Sequence, residues 1–242
     1  MAHRTRKKLT KKEIKRDPVA EKLETGVLFI QKHYRELIGG VVAVVVILLI
    51  MQYIVSMKNT ANDESMAGFI TASQMYSQAQ SAAGANQAQQ AFQAMDAAYG
   101  LAAQTWNSNP QNDWARKAAV LASKIDIIRG NYDSAISMLS AVLAANPDDT
   151  IRIPALLHMG IVLENRGSEQ DLVNAKSSYQ ELLDRATDGS TVESEALYGL
   201  SRVCYAQGSL EESASYLSQA LAMSEDTTAF EAYQIARLSQ AN

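Results

Sequence analysis

The amino-acid sequence predicts an all-α protein in which one transmembrane helix is followed by an α-solenoid of stacked helix pairs. Three observations support this fold class. A long apolar run without charge lies near the N-terminus, a helix-turn-helix pattern recurs three times in the C-terminal half, and apolar residues elsewhere recur at spacings of three and four. Because these spacings place side chains on one face of a helix, no β-sheet is expected.

The apolar run extends from Leu37 to Met57, twenty-one residues with no charged side chain between Glu36 and Lys58. As a helix rising about 1.5 Å per residue it would span about 31 Å, close to the thickness of a bilayer core. A buried helix of a globular domain would carry polar residues at helical spacing, and Leu37 to Met51 has none. The sequence therefore predicts one transmembrane helix over residues 37–57.

A cleaved signal peptide is the main alternative for this run. Thirty-six residues precede it, and Asn59-Thr60-Ala61 is a poor cleavage site. The only cysteine, Cys204, lies far from the position that lipid attachment would need. We therefore expect the segment to be retained as an anchor.

The charge distribution predicts the orientation of that anchor. Residues 1–36 hold 11 basic and 5 acidic side chains, whereas residues 37–242 hold 11 basic and 21 acidic ones. Short segments rich in Lys and Arg remain on the cytoplasmic side of a membrane. We therefore expect a cytoplasmic N-terminus and a translocated C-terminal domain.

Two segments precede the anchor. Residues 1–16 form a basic tail that either binds anionic lipid headgroups or only sets the topology, and nucleic-acid binding is disfavoured because aromatic platforms are lacking. Residues 17–36 predict an amphipathic juxtamembrane helix that begins at Asp17-Pro18 and ends where the chain turns at Gly39-Gly40. Its apolar stripe could lie on the membrane surface or pack on a partner's helix, and it comprises Val19, Leu23, Val27, Ile30 and Tyr34.

Residues 58–112 are rich in Ala, Gln and Ser and predict a degenerate helical hairpin. Its helices are expected over 63–83 and 86–106, separated by Gly84-Ala85. Apolar residues at helical spacing favour a packed pair over a low-complexity segment. In the second helix they are Phe92, Met95, Tyr99, Ala102 and Trp106.

Residues 113–226 contain three similar units, at 116–147, 153–186 and 194–224. Each unit is a helix, a turn with a glycine and a second helix, and a small residue lies seven positions before the glycine. Small residues allow two helices to approach closely, and units that cannot bury their faces alone stack into a solenoid. The turn glycines are Gly130, Gly167 and Gly208, and the small residues are Ser123, Gly160 and Ser201. Residues 227–242 predict a C-terminal capping helix with Phe230, Tyr233, Ile235 and Leu238 on it.

The units resemble the tetratricopeptide repeat. The first unit carries the family residues Gly130, Tyr132, Ala135, Leu139, Leu143 and Pro147; the second carries Leu157, Gly160 and Gly167; the third carries Leu200, Gly208, Leu210, Ala220 and Leu221. The sequence departs from the pattern at three places. Asp126 occupies a position that is usually apolar, three extra residues separate Gly167 from Ala175, and Ser213 replaces the usual alanine.

The full arrangement of basic tail, single anchor and degenerate repeats resembles the family of bacterial inner-membrane proteins similar to the ancillary subunit of the SecYEG translocon. This resemblance implies a role in handing translocated proteins to periplasmic chaperones, with translocon subunits as possible partners.

The tetratricopeptide resemblance also implies a binding groove lined by the first helix of each unit. It places the partner-binding residues at Lys117, Lys124, Ile128, Asn165, Tyr198, Arg202 and Tyr205, together with Val120, Ile127, Leu157, Ile161 and Glu164. Apolar and aromatic side chains with a few charges suit an extended peptide or a helix of a partner protein. Val120 stands where carboxylate-clamping repeats carry a polar residue, so a receptor for chaperone tails is not expected.

The sequence contains no pattern typical of an enzyme. It has no phosphate-binding glycine loop, no HExxH and no Cys-His pair, and its single cysteine and three histidines are too few for a zinc site. His158 is expected to be a partly buried packing residue. We therefore expect no cofactor, metal or catalytic activity.

Two functions remain open from sequence. The protein is either a membrane-anchored adaptor whose groove binds other proteins, in translocation or envelope assembly, or a structural subunit of a larger membrane complex. An adaptor would bind many extended clients weakly, whereas a subunit would be purified with fixed partners.

Overall fold

The computed structural model describes residues 18–223, and every regular element in this range is an α-helix. The predicted all-α fold class is confirmed. The helices are α1 Pro18–Gly84, α2 Ala88–Ser108, α3 Asp113–Arg129, α4 Tyr132–Ala144, α5 Asp149–Arg166, α6 Glu169–Arg185, α7 Thr191–Ala206 and α8 Leu210–Met223. Contacts divide the chain into two units, residues 1–59 and residues 60–242.

In the first unit, the apolar side chains between Ile38 and Met57 are exposed, and this helix is long and apolar enough to cross a membrane. The turn predicted at Gly39-Gly40 is wrong, because α1 continues through both glycines. The departure from helical geometry is instead at His33, with φ −113° and ψ 16°. A glycine permits a break in a helix but does not impose one.

The second unit begins with a helical hairpin formed by residues 60–84 of α1 and by α2. The predicted helix 63–83 is not a separate helix, because no breaking residue interrupts α1 between Met57 and Gly84. The two helices approach most closely at Gly68, where an added Cβ would lie 2.3 Å from Thr105 Oγ1. Alanines fill the small space between these two helices and α3. These alanines are Ala72, Ala98, Ala102, Ala118 and Ala122.

Three helix pairs follow, α3/α4, α5/α6 and α7/α8, and each helix packs on the next. Side chains accept hydrogen bonds from backbone N–H groups at the starts of α3, α5, α6 and α7, which fixes where these helices begin. Gly130 and Gly167 end α3 and α5 in the left-handed conformation, with φ of 76° and 72°. This conformation is why a glycine recurs at these turns.

The departures from the repeat pattern have local explanations. Asp126 is fully buried, and its carboxylate accepts hydrogen bonds from Asn131 Nδ2 at 3.1 Å and from Ser134 Oγ at 2.6 Å. It therefore links the end of α3 to the start of α4. The hydroxyl of Ser213 donates to the backbone carbonyl of Ser201 at 2.8 Å, so the serine at this position ties α8 to α7.

The extra residues before Ala175 form an additional turn at the start of α6. Ser168 caps this turn, and Asp171 is bound by the guanidinium of Arg166 at 2.6 Å and 2.9 Å. The hydrogen bonds from Arg166 and Ser168 lower the pKa of Asp171 to about 2. The inserted turn is therefore held by its own capping contacts.

Tyr179 on α6 connects the second pair to the third. Its ring is fully buried between α5 and α7, and a Cβ added at Gly160 or Gly199 would lie 2.6 Å or 2.5 Å from a ring atom. Only glycine fits at these two helical positions without moving the ring. The main core surrounds this contact with aliphatic residues such as Leu139, Leu182 and Leu200.

The predicted basic tail 1–16, the predicted cap at Asp17 and the predicted capping helix 227–242 lie outside the described residues.

Candidate binding groove

The first helices of the three pairs lie beside one another, since α5 contacts both α3 and α7. Two depressions open between these helices. One lies between α5 and α7, and the other lies between α3, α5 and the hairpin residues of α1. We call the surface formed by α3, α5 and α7 the groove.

The depression between α5 and α7 has a volume of about 500 Å³. We call it the arginine pocket. Its walls combine apolar, aromatic and charged side chains, and they are Leu157, Ile161, Glu164, Asn165, Glu195, Tyr198 and Arg202. It has the mixed chemistry that suits peptide side chains.

The charged base of the arginine pocket is an internal ion pair. Arg202 Nε and Nη2 each donate to the Glu164 carboxylate at 2.8 Å, and the side chains are 18% and 8% exposed. The phenol of Tyr179 donates to Glu164 Oε2 at 3.2 Å. Burial, followed by the charge of Glu164, raises the pKa of Tyr179, so the phenol remains a donor. The contact therefore joins α5, α6 and α7.

The second depression has a volume of about 260 Å³. We call it the lysine pocket. Five apolar residues form most of its wall, namely Phe69, Val120, Leu121, Ile151 and Pro154. The polar lining residues are Ser73, Lys117, Lys124, Thr150 and His158.

Aromatic rings hold both lysines of this pocket. Lys117 Nζ lies 4.4 Å from the centre of the Trp114 ring, and Lys124 Nζ lies 5.1 Å from the centre of the Tyr76 ring. Among the residues that the structure describes, neither ammonium forms an ion pair within 4.0 Å. An ammonium group has three N–H donors, so contact with a ring on one side leaves donors for a second partner.

His158 lies at the wall of the lysine pocket and is partly buried, as the sequence indicates for a packing residue. Its Nδ1 atom is buried without a hydrogen-bond partner. Burial, and then the charge of Lys124, lower the pKa of His158 to about 4. The imidazole is therefore neutral at neutral pH and does not add to the positive charge there.

The structure distributes the seven predicted partner-binding residues over three locations. Lys117 and Lys124 line the lysine pocket, and Asn165, Tyr198 and Arg202 line the arginine pocket. Ile128 and Tyr205 are 55% and 50% exposed but line neither pocket.

Of the apolar residues in the predicted groove, Val120 is 7% exposed and belongs to the core, and Ile127 packs against it. Leu157 and Ile161 pack against the core and also line the arginine pocket.

Sequence reasoning missed several lining residues. Glu195 and Pro154 lie on first helices, each three residues before a predicted groove residue, Tyr198 or Leu157, and helical spacing could have identified them. Phe69 and Ser73 come from the hairpin, where no repeat pattern indicates which face meets α3.

The described residues contain no group of three or more His, Cys, Asp or Glu side chains that could hold a metal ion. Cys204 is buried with a free thiol, and burial raises its pKa, so it is not an activated nucleophile.

Comparison with known families gives one match. The family model described as "Tetratricopeptide repeat" matches residues 170–227, which cover α6, α7 and α8. No curated protein sequence matches the chain at a significant level. The family match supports a tetratricopeptide-repeat protein, and such repeats generally bind proteins or peptides and are typically not catalytic.

Proposed function

We propose that the protein is a membrane-anchored adaptor that binds other proteins through the groove. The observation that carries this proposal is the pair of depressions between neighbouring first helices, which lie in series along α3, α5 and α7. One pocket of mixed lining followed by one mainly apolar pocket suits an extended chain that places side chains in successive pockets. The tetratricopeptide match agrees with this use of the surface.

The anchor and its orientation form the second part of the proposal. The exposed apolar residues between Ile38 and Met57 serve as the transmembrane helix, and the excess of basic residues before them keeps the N-terminus in the cytoplasm. The groove would then face the periplasm. Together with the resemblance to the ancillary SecYEG subunit family, this favours a role in protein translocation or envelope protein assembly.

A structural subunit of a larger membrane complex is the second candidate. Phe92, Val173 and Leu210 are 67%, 50% and 61% exposed and line neither pocket. Exposed apolar side chains of this size are typical of assembly surfaces. A fixed partner would cover them, whereas an adaptor would use the groove.

Photocrosslinking in cells distinguishes the two functions. A benzophenone amino acid is placed at Tyr198 or Tyr205 on the groove side, and at Phe92 on α2 as the matched exposed aromatic position. The full-length protein is then purified in mild detergent, and its crosslinked partners are identified by mass spectrometry.

The adaptor proposal expects varied exported proteins crosslinked from Tyr198, with translocon components purified alongside. A single stoichiometric set of membrane proteins, crosslinked from Phe92 and not from Tyr198, would overturn it in favour of the structural subunit. A reporter enzyme fused to the C-terminus, active only in the periplasm, tests the orientation separately.

A further inference from the structure

The lysine pocket combines an apolar wall with two cations that lack carboxylate partners among the described residues. We propose that it binds an extended peptide segment in which an apolar side chain lies between two acidic ones, in the pattern acidic–x–apolar–x–acidic. This inference rests on the proposed adaptor function and names the segment that the groove selects. The lysines would bind acidic side chains inside the partner's chain, so the partner needs no free C-terminal carboxylate.

The size and lining of the pocket determine the central residue of that segment. A volume of about 260 Å³ is below the range of pockets that hold whole drug-sized ligands, about 300 to 1,000 Å³. A pocket of this volume fits a single aliphatic side chain, such as that of leucine. Phe69, Leu121 and Pro154 would surround it, and its burial would provide the apolar part of the affinity.

The two lysines determine the flanking residues. Lys117 and Lys124 are seven residues apart on α3, so their Cα atoms are about 10.5 Å apart along the helix axis. Both lysines line the pocket, and their ammonium groups lie over the rings of Trp114 and Tyr76. The pKa of Asp148 is lowered mainly by the hydrogen bond from the Thr150 side chain, and the charge of Lys117 makes a smaller contribution. The nearby carboxylate partly offsets Lys117, whereas Lys124 acts on a neutral imidazole.

The geometry of an extended chain matches this spacing. Side chains at positions i, i+2 and i+4 of a strand point to the same side, and positions i and i+4 are about 13 Å apart. The difference from about 10.5 Å is within the reach of a lysine side chain. An apolar residue at i+2 would then enter the pocket while carboxylates at i and i+4 meet the two ammonium groups.

The charges elsewhere on the domain confine the binding of an acidic segment to the lysine pocket. Residues 37–242 carry 21 acidic and 11 basic side chains, so the domain as a whole repels an acidic segment. In the arginine pocket the cation is already neutralised by Glu164. The lysine pocket is therefore the place along the groove where charge complementarity favours an acidic partner.

Fluorescence anisotropy with the full-length protein in a neutral detergent tests the proposal. The probe is a fluorescein-labelled peptide with an amidated C-terminus and the sequence GESLSEG. The matched peptides are GQSLSQG, which lacks the charges, and GESSSEG, which lacks the apolar side chain. We expect saturable binding of the first peptide, weaker binding at higher salt, and at least about tenfold weaker binding of each matched peptide.

Variants of the protein locate the site. Lys117→Gln and Lys124→Gln should each weaken binding about fivefold, and Ser73→Phe should abolish it by filling the pocket without changing a charge. Arg129→Gln is the matched control, since it removes one cation from the same helix outside the pocket, and binding should change less than about twofold. Circular dichroism verifies that each variant folds.

Several results would overturn the proposal. One is that GESLSEG and GQSLSQG bind equally well. Another is that Arg129→Gln weakens binding as much as Lys124→Gln does. The third is that binding requires a free C-terminal carboxylate and not the acidic side chains. If these peptides fail while Tyr198 still crosslinks exported proteins, the segment assignment is wrong and the adaptor function stands. Loss of the Tyr198 crosslinks would count against the adaptor function itself.

Discussion

The arginine pocket and the lysine pocket lie on opposite sides of α5 and use their cations differently. Arg202 is neutralised by Glu164 inside the fold, where the contact joins three helices. Lys117 and Lys124 contact aromatic rings and form no ion pair with a described residue. The comparison separates a cation that stabilises the repeat stack from cations that remain available to a partner.

This difference divides the predicted site residues into two groups. Lys124 in the first helix pair and Arg202 in the third each lie six residues before the turn glycine. Substitution of Arg202 should nevertheless affect mainly stability, and substitution of Lys124 mainly binding. The predictions below test this division, beginning with the largest expected effect on stability.

Arg202→Met should lower the free energy of unfolding by about 3 kcal/mol. It leaves the nearly buried Glu164 carboxylate without its cation, which is the costly way to break an ion pair. The measurement is urea unfolding of the full-length protein in detergent, followed by circular dichroism at 222 nm. Arg129→Met removes a partly buried cation that pairs with the exposed Asp96 and lies over the Tyr99 ring, and it should cost about 1 kcal/mol. Equal losses for the two variants would contradict a structural role for the internal pair.

Gly199→Ala should destabilise the protein by about 2 kcal/mol, because its methyl group would overlap the Tyr179 ring. Gly100→Ala on α2 is the matched control, since no atom lies within 4 Å of the added methyl group, and it should stabilise the helix by up to about 1 kcal/mol. The melting temperatures of both variants are compared with that of the unmodified protein. Combining Gly199→Ala with Tyr179→Leu should recover part of the loss, and strict additivity would rule out the proposed overlap.

Acid should destabilise the lysine pocket through His158. Its pKa is lowered from 6.5 to about 4 in the folded protein, so between these values the unfolded chain binds the proton more readily. Neutral His158 therefore contributes to the free energy of unfolding above pH 6.5. This contribution, about 1 to 2 kcal/mol, is lost as the pH falls toward 4. Melting temperatures measured from pH 7 to pH 4 should fall less steeply for His158→Gln. The same slope in both proteins would show that other groups cause the acid sensitivity.

Lys117→Gln and Lys124→Gln should have the smallest effects on stability, each within about 0.5 to 1 kcal/mol, because each removes a single cation–π contact. Urea unfolding under the conditions used for Arg202→Met provides a direct comparison. A loss of about 3 kcal/mol at either lysine would place it with Arg202 as a structural cation.

The element boundaries of the repeats could be predicted closely because their signals are local. The turn glycines, the apolar spacing and capping residues such as Ser168 and Ser190 act within one turn of the helix ends. The turn predicted at Gly39-Gly40 is wrong because a glycine permits a break in a helix but does not cause one. With no competing contact, the backbone hydrogen bonds of an apolar segment keep the helix intact.

The site could be predicted only in part. The family spacing predicted seven partner-binding residues on α3, α5 and α7. Five of them line two separate pockets, and Ile128 and Tyr205 line neither. Partners far apart in sequence decided these outcomes. Glu164 lies 38 residues from Arg202, and no pattern at that distance indicates that the two side chains meet.

The sequence by itself determined the helical fold class, the apolar segment at 37–57 and the three helix pairs, because hydrophobic periodicity and turn residues are properties of neighbouring positions. The tertiary structure decided which cation is neutralised, which glycines accommodate the Tyr179 ring and where the pockets open. These features arise from side chains that folding brings together from different repeats. Their pairing depends on the angle and depth at which the helices pack, which local sequence does not encode.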